Sequence, residues 1–338
     1  MDPSRSVADE RLLLAEAAQL YYVEELTQEQ IAKRFGVSRS NISRMLKEAR
    51  ERGLVEIRIH HPLQTLPDLQ GAFRHHFGLR DCLILASPPS AVLEGDNRQD
   101  VAQKIGSLAA RYLQARIPDG SIVGVGWGST VYHVVTSGYL HGKRGVSVVQ
   151  LMGSIGGATP DIDGAQVAAR LAQTLGGPVY HLHAPMVVTD AAVRSGLLRD
   201  QHIRKTLEMA RRAETLVVSV GAISEQSGIY RAGYLNDADL DYIRGQGAVG
   251  DLCGVYYALD GSLCSLELND RTVAVGGEVM RGIPLRVGVS WGPHKALANL
   301  GAVRSGLVNV LITDEAAARE MLRLLDEEAW IVPPAGTT

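Results

Sequence analysis

The stretch 27–50, TQEQIAKRFGVSRSNISRMLKEAR, decides how this chain is read. It opens on Thr27, a residue type that caps helices, and spaces Ile31, Ala32 and Phe35 along one apolar helical stripe. Gly36 ends that helix, because glycine takes the left-handed backbone of a sharp reversal without steric cost. Ser38 caps a second helix in which Ile42, Met45, Leu46 and Ala49 face inward. Arg39, Ser40, Ser43, Arg44 and Lys47 are left on the opposite face. Two short helices across a glycine turn, the second with a basic outer face, form the pattern of a helix-turn-helix that reads double-stranded DNA.

The outward residue types suit that task. Arginine bonds guanine edges bidentately, while serine, lysine and helix-start amides position phosphates. Asn41 reads two ways, as an adenine contact or as a side chain that holds the helix start. From Met1 to Ala32 two basic residues stand against seven acidic, net −5; from Lys33 to Arg58 eight stand against three, net +5. Positive charge is thus concentrated where DNA would dock. After the second helix, Gly53 and the alternating run Leu54-Val55-Glu56-Ile57-Arg58-Ile59 predict a small β-wing, with Arg58 near a phosphate. Upstream, Leu12, Leu13, Ala17, Leu20 and Tyr21 predict a supporting helix that closes a three-helix module. The expected DNA-contacting set is Gln28, Ser38, Arg39, Ser40, Asn41, Ser43, Arg44, Lys47 and Arg58.

At 338 residues the chain is too long for that module alone. The expected organisation is a winged helix-turn-helix over residues 1–61 and an effector-binding and oligomerisation domain over 62–338. A net charge of −3 and 46% hydrophobic content exclude a second nucleic-acid glove and mark a globular protein. Cys82, Cys253 and Cys264 lack paired spacing, against a disulfide scaffold or a zinc ribbon. With no transmembrane-length apolar run and a charged N-terminus, a reducing cytoplasm is expected and no membrane partner. Pro62 and Pro67 bracket the boundary, and Leu69, Phe73 and Phe77 then share one helical face, expected to meet an apolar partner such as another subunit.

Beyond it, β-branched runs alternate with helical stretches: Cys82–Ala86, Ser121–Val125, Val146–Leu151, Val179–Leu182, Thr215–Val220, Leu285–Val289 and Val308–Ile312. Such alternation implies an α/β, Rossmann-like parallel sheet, whose ligands bind beyond the strands' carboxyl ends. Glycine-rich loops fall at those ends: Gly124 to Thr130, Gly153 to Gly157, Val220 to Ala222, and Gly250-Asp251. Each alone reads as a turn, but strand-end loops converge in this architecture, so together they predict a polar ligand pocket. Lys295, in an expected helix Pro293–Ser305, would offer a fixed cation. Asp251, between Gly250 and the apolar run Leu252–Tyr257, would accept hydroxyl hydrogen bonds from a polyol. His181 and His183 alternate on a strand without a third ligand at suitable spacing, so no metal is expected. No dinucleotide fingerprint occurs, and no serine or cysteine is read as a nucleophile, so neither a cofactor nor a nucleophile is implied.

These residues resemble the SorC family, the SorC/DeoR type of bacterial sugar-responsive transcription regulators, over nearly the whole chain. The resemblance rests on Gln28-Glu29-Gln30-Ile31-Ala32, Gly36-Val37-Ser38-Arg39 with Ser43-Arg44, Gly126-Trp127-Gly128-Ser129-Thr130, Val149-Gln150-Leu151-Met152-Gly153, Ala184-Pro185, Gly247-Ala248-Val249-Gly250-Asp251 and Leu311-Ile312-Thr313-Asp314-Glu315. It implies a non-catalytic sensor domain related to sugar-phosphate isomerases and glucosamine-6-phosphate deaminase, acting as a homodimer or homotetramer. The effectors of that family are usually phosphorylated sugars. Carried over, the family pattern places the effector at Gly126, Gly128, Ser129, Thr130, Gly153, Gly221, Ala222, Asp251, Leu252 and Lys295. The chain departs from the pattern at Trp291 and His294, just before that lysine, and at Val220-Gly221-Ala222, so a sugar alcohol or sugar acid is also open. The competing readings are a sugar-phosphate isomerase or deaminase fused to a DNA-binding module, with Asp251 and His294 as the conceivable acid and base, and an adaptor whose large domain only oligomerises.

Overall fold

The computed structural model describes residues 7–56, 63–87, 96–156 and 162–331. The chain divides into two compact units, Met1–His61 and Pro62–Thr338.

In the first unit, α1 (Val7–Tyr22), α2 (Gln28–Phe35) and α3 (Arg39–Glu51) enclose a core of Leu14, Ala18, Leu20, Ile31, Ala32, Ile42, Leu46 and Ala49. Local chemistry sets each boundary. Thr27 and Gln30 form a reciprocal capping box: Thr27 Oγ1 accepts from Gln30 N at 3.3 Å and Gln30 Oε1 accepts from Thr27 N at 2.9 Å. Gly36 closes α2 at φ 66°, and Ser38 Oγ accepts from Asn41 N at 3.2 Å to open α3. The supporting helix differs from its expected phase. Leu12 is 68% exposed, and Leu14 and Ala18 fill the core instead, because they lie on the same side as Ala17 while Leu12 falls across the helix from Leu14. Gly53, at φ 69°, ends α3 as expected, but Leu54 to Glu56 form no strand. The rest of the expected wing, Ile57 to Ile59 with Arg58, lies outside the described residues.

The second unit runs α4 (Pro67–Phe77), β1 (Asp81–Leu85), α5 (Asp96–Arg116), β2 (Ile122–Val125), α6 (Ser129–Thr136), β3 (Ser147–Gln150), α7 (Gly164–Leu175), β4 (Val179–Tyr180), α8 (Ala191–Arg199), α9 (Gln201–Arg211) and β5 (Thr215–Ser219). It continues through β6 (Gly221–Ala222), α10 (Gly228–Arg231), α11 (Asp237–Gly245), β7 (Ala248–Leu252), β8 (Val255–Ala258), α12 (Gly277–Gly282), β9 (Leu285–Val289), α13 (Ala296–Arg304), β10 (Val310–Asp314) and α14 (Glu315–Ile331). All seven expected strands join one parallel sheet, in the order β1-β10-β9-β5-β2-β3-β4. Successive strand residues alternate between two apolar clusters, Leu216 and Val218 on one face and Val217 on the other. Burial on both faces is why these strands read as continuous apolar runs.

Two features depart from the sequence reading. A separate antiparallel sheet, β6-β7-β8, joins the short Gly221–Ala222 strand to a hairpin over Ala248–Ala258, and its glycines and Asp251 hid it among loops. Likewise, the expected helix Pro293–Ser305 begins as a single 3-10 turn, Pro293–Lys295, before α13.

The apolar face of α4 is also used differently. Phe73 is buried to 1% exposure, and Leu69 and Phe77 pack beside it on the core of this same unit, so that face is already covered without another subunit. Phe73→Ala should therefore lower stability by about 3–5 kcal/mol and leave the oligomeric state unchanged. Thermal unfolding and light scattering check this; dissociation with an unaltered melting temperature would return the face to a subunit contact.

Candidate functional site

Two sites emerge, one in each unit. On α3, Ser38, Arg39, Ser40, Ser43, Arg44 and Lys47 are all exposed, opposite the buried Ile42, Leu46 and Ala49. Arg44 Nη2 donates to Asn41 Oδ1 at 3.3 Å, so the Asn41 side chain orients an arginine; the helix start is held instead by Ser38 Oγ, which accepts from the Asn41 backbone N–H. Lys47 meets Glu51 at 3.7 Å across a solvent-exposed turn, a contact that costs little to release. Gln28, the first residue of α2, is half-buried.

The second site follows from strand order. The chain steps outward from β2 through β3 to β4, then returns to place β5 on the other side of β2. Loops leaving β2 and β5 therefore diverge, opening a crevice at the sheet's carboxyl edge. A cavity of about 920 Å³ lies there. It is lined by Trp127 to Thr130 after β2, Ser219 to Gly221 after β5, Trp291, His294 and Lys295 after β9, Asp251 and Cys253 from the antiparallel hairpin, and the segment Ser224 to Arg231.

Six of the ten expected effector residues reach its wall: Gly128, Ser129, Thr130, Gly221, Asp251 and Lys295. The other four are not among the lining residues. Gly126 is a packing glycine, since a Cβ there would meet Cys253 Sγ at 2.9 Å, and one at Gly153 would meet the Pro185 backbone at 2.5 Å. Leu252 is fully buried in the core, and Ala222 pairs with Gly250 in the small sheet. The sequence reading did not include Ser219, the last residue of β5, nor His133, Cys253 and the segment 224–231, which come to the cavity through α6, the antiparallel hairpin and the chain after β6 rather than through a strand-end glycine motif.

The cavity's chemistry centres on two opposite charges. Asp251 Oδ2 accepts from Gly254 N at 3.1 Å. Its Oδ1 occupies the space over Gly221, where a Cβ would lie 2.0 Å away. Burial raises the Asp251 pKa, opposed by the Gly254 amide and by Lys295; burial lowers that of Lys295, opposed by Asp251. Each charge thus offsets part of the other's desolvation. His133 is held below its usual pKa by burial and presents a neutral imidazole near pH 7. Gly128 opens α6 at φ 108° with no side-chain cap, while Ser219 Oγ accepts from Val131 N at 3.3 Å. A carboxylate, an ammonium and hydroxyls around one cavity suit a small polyhydroxylated ligand with or without an anionic group. Among the described residues no group of three or more His, Cys, Asp or Glu is arranged to hold a metal.

A helix-turn-helix joined to an α/β unit with such a cavity defines a ligand-responsive DNA-binding protein, and the comparisons agree. Residues 61–323 match the family described as "Putative sugar-binding domain", and residues 17–62 match the MarR family. The deoxyribonucleoside regulator of Bacillus subtilis (strain 168) is 30% identical over 93% of this chain and 98% of its own length. Among solved structures, the full-length sorbitol operon regulator SorC from Klebsiella pneumoniae superposes with a TM-score of 0.70 at 24% identity, covering 93% of this chain and 99% of that one. The sugar-binding domain of a transcriptional repressor from Vibrio fischeri gives a TM-score of 0.69 at 27% identity, covering 77% of this chain and 100% of that one. The chain belongs to the SorC family of transcription regulators with a sugar-binding domain. It is a regulator, as its relatives are, and the isomerase or deaminase alternative is not favoured.

Because the Asp251 carboxylate sits where a side chain at position 221 would be, Gly221→Ala should displace it. The expected result is a folded protein that binds operator normally and has lost its response to effector, measured by a DNA mobility shift with and without the effector. A full response from this variant would mean that Asp251 does not need its observed position.

Proposed function

We propose that this chain is a cytoplasmic homodimeric or homotetrameric transcription factor. It holds double-stranded operator DNA with the outer face of α3 and senses a small sugar, polyol or sugar phosphate in the 920 Å³ cavity. The observation that carries the effector reading is the Asp251 and Lys295 pair in a hydroxyl-lined crevice, a combination that binds sugar hydroxyls and an anionic end group in one place. Two recognition helices one DNA turn apart read a palindromic site, which supports an even-numbered assembly. No described helix is long and apolar enough to cross a membrane. Effector occupancy changes operator affinity only if the effector binds the DNA-competent and incompetent states unequally. Relatives named for deoxyribonucleosides and for sorbitol support a test panel of pentoses, deoxypentoses, hexitols and their phosphates.

A thermal-shift screen of the full chain with that panel should give one compound, or a few close analogues, that raise the melting temperature by several degrees. The same compound should alter operator binding and be returned chemically unchanged. Thr130→Val, Asp251→Ala and Lys295→Met should keep operator binding and lose the response. Arg39→Ala and Arg44→Ala should do the reverse, each weakening operator binding by about tenfold at matched salt. Conversion of the compound to an isomerised or deaminated product would overturn the sensor reading; unchanged operator binding in both arginine variants would overturn the assignment of α3.

A further inference from the structure

The strands on either side of β5 end in the same sequence. Val123-Gly124-Val125-Gly126-Trp127-Gly128 leaves β2 and Val287-Gly288-Val289-Ser290-Trp291-Gly292 leaves β9, differing only at the residue before the tryptophan. The backbone repeats as well. Gly128 (φ 108°, ψ 164°) and Gly292 (φ 88°, ψ 148°) hold nearly the same left-sided conformation, and each starts the helical turn that follows. Both indoles are half-buried and line the cavity.

Each is also fixed in place. Gly228 lies against Trp127 so closely that a Cβ there would meet Cη2 at 2.5 Å. Trp291 makes an edge-to-face contact with His294, centroids 6.3 Å apart at 87°, and Gly292 N donates to Asp314 Oδ1 at 2.8 Å, holding the turn. β2 and β9 are separated by one strand, so the platforms stand about 10 Å apart across the sheet. Strand register sets the two out of line: Val125 is level with Val217 and Val217 with Val287, so Trp291 lies about two residues, roughly 7 Å, further out than Trp127.

A rigid aromatic surface gains most from a ligand with a flat or apolar face, which gives up hydration over its whole area on contact. A closed sugar ring presents such a face of C–H groups, whereas an open-chain alditol turns hydroxyls in every direction. We infer that Trp127 and Trp291 are specificity-determining residues that select an effector with a closed sugar ring, stacked against an indole, over its open-chain alditol. This rests on the reading of the larger unit as a sugar sensor. Asp251 and Lys295 line the same cavity and supply polar partners for the hydroxyls and polar substituent of a ring stacked there.

The test titrates the full chain with paired probes, methyl glycosides locked as rings and the alditols of the same carbon skeleton, followed by tryptophan emission and by melting temperature. A nucleoside arm tells a stacked base from a stacked sugar. The tightest-binding glycoside should bind at least about tenfold better than its alditol. Trp291→Ala should remove most of that preference, and Trp291→Phe, which keeps a ring, should restore it. Trp127→Phe and Trp291→Phe should each remove part of the emission change. Equal affinity for glycoside and alditol, equal loss of both in Trp291→Ala, or binding that depends on the base alone would overturn the inference and leave the sensor reading standing. Binding by no member of the panel would overturn both.

Discussion

A parallel sheet buried on both faces cannot open a pocket in its middle; it makes room for a ligand only at its carboxyl edge, where the chain's direction of travel reverses. Here the reversal falls between β2 and β5. Everything that gives the larger unit its chemistry is placed by that constraint. The β2 loop supplies the start of α6, the β5 loop supplies Gly221, and the chain after β9 supplies Trp291, with Lys295 on the 3-10 turn that follows. The small antiparallel sheet adds what the parallel sheet cannot, since it pairs Gly221 with Asp251 and brings a carboxylate from 30 residues downstream over the crevice.

The Asp251 position is expensive in isolation. A carboxylate taken out of water needs hydrogen bonds and a counter-charge, and it finds the Gly254 amide and the Lys295 ammonium. The hairpin that supplies Gly254 turns through Cys253 at φ 51° and Gly254 at φ 81°, a left-handed pair in which a non-glycine residue is unusual. Burial drives the Cys253 thiol pKa well up, so it serves as packing against Gly126 and not as a nucleophile. Two polar loops and one strained turn are therefore held together by the same few side chains, the kind of arrangement that a bound ligand can bias.

Much of this was legible in the sequence. The caps Thr27 and Ser38, the Gly36 turn and the apolar spacing of α2 and α3 are local signals, and each appears in the structure with its hydrogen bond. The seven parallel strands were legible for a different reason: burial on both faces leaves runs of apolar residues that no loop imitates. What failed to show depends on tertiary context. Leu12 is as apolar as Leu14, and only the packing of α1 on its neighbours decides which is buried. The face Leu69, Phe73 and Phe77 reads as unpartnered until the sheet beneath it is in place. Gly126, Gly153 and Gly221 look alike in sequence, yet the first two relieve packing and the third clears space for a carboxylate. The segment Ser224 to Arg231 carries no strand-end signal at all.

The proposed effector reading depends on a half-buried carboxylate and a half-buried ammonium, Asp251 and Lys295, acting together. Its most direct measurement is effector affinity as a function of pH, by calorimetry, for the compound that stabilises the protein most. Burial raises the pKa of Asp251 and lowers that of Lys295, so binding should fall on the acid side as the carboxylate protonates, at a pH above the ordinary carboxylate range. It should fall on the alkaline side as the ammonium loses its proton, at a pH below the ordinary lysine range. Asp251→Asn should bind more weakly and lose the acid limb. A wild-type profile that is flat across both regions, or an acid limb that persists in Asp251→Asn, would contradict the account.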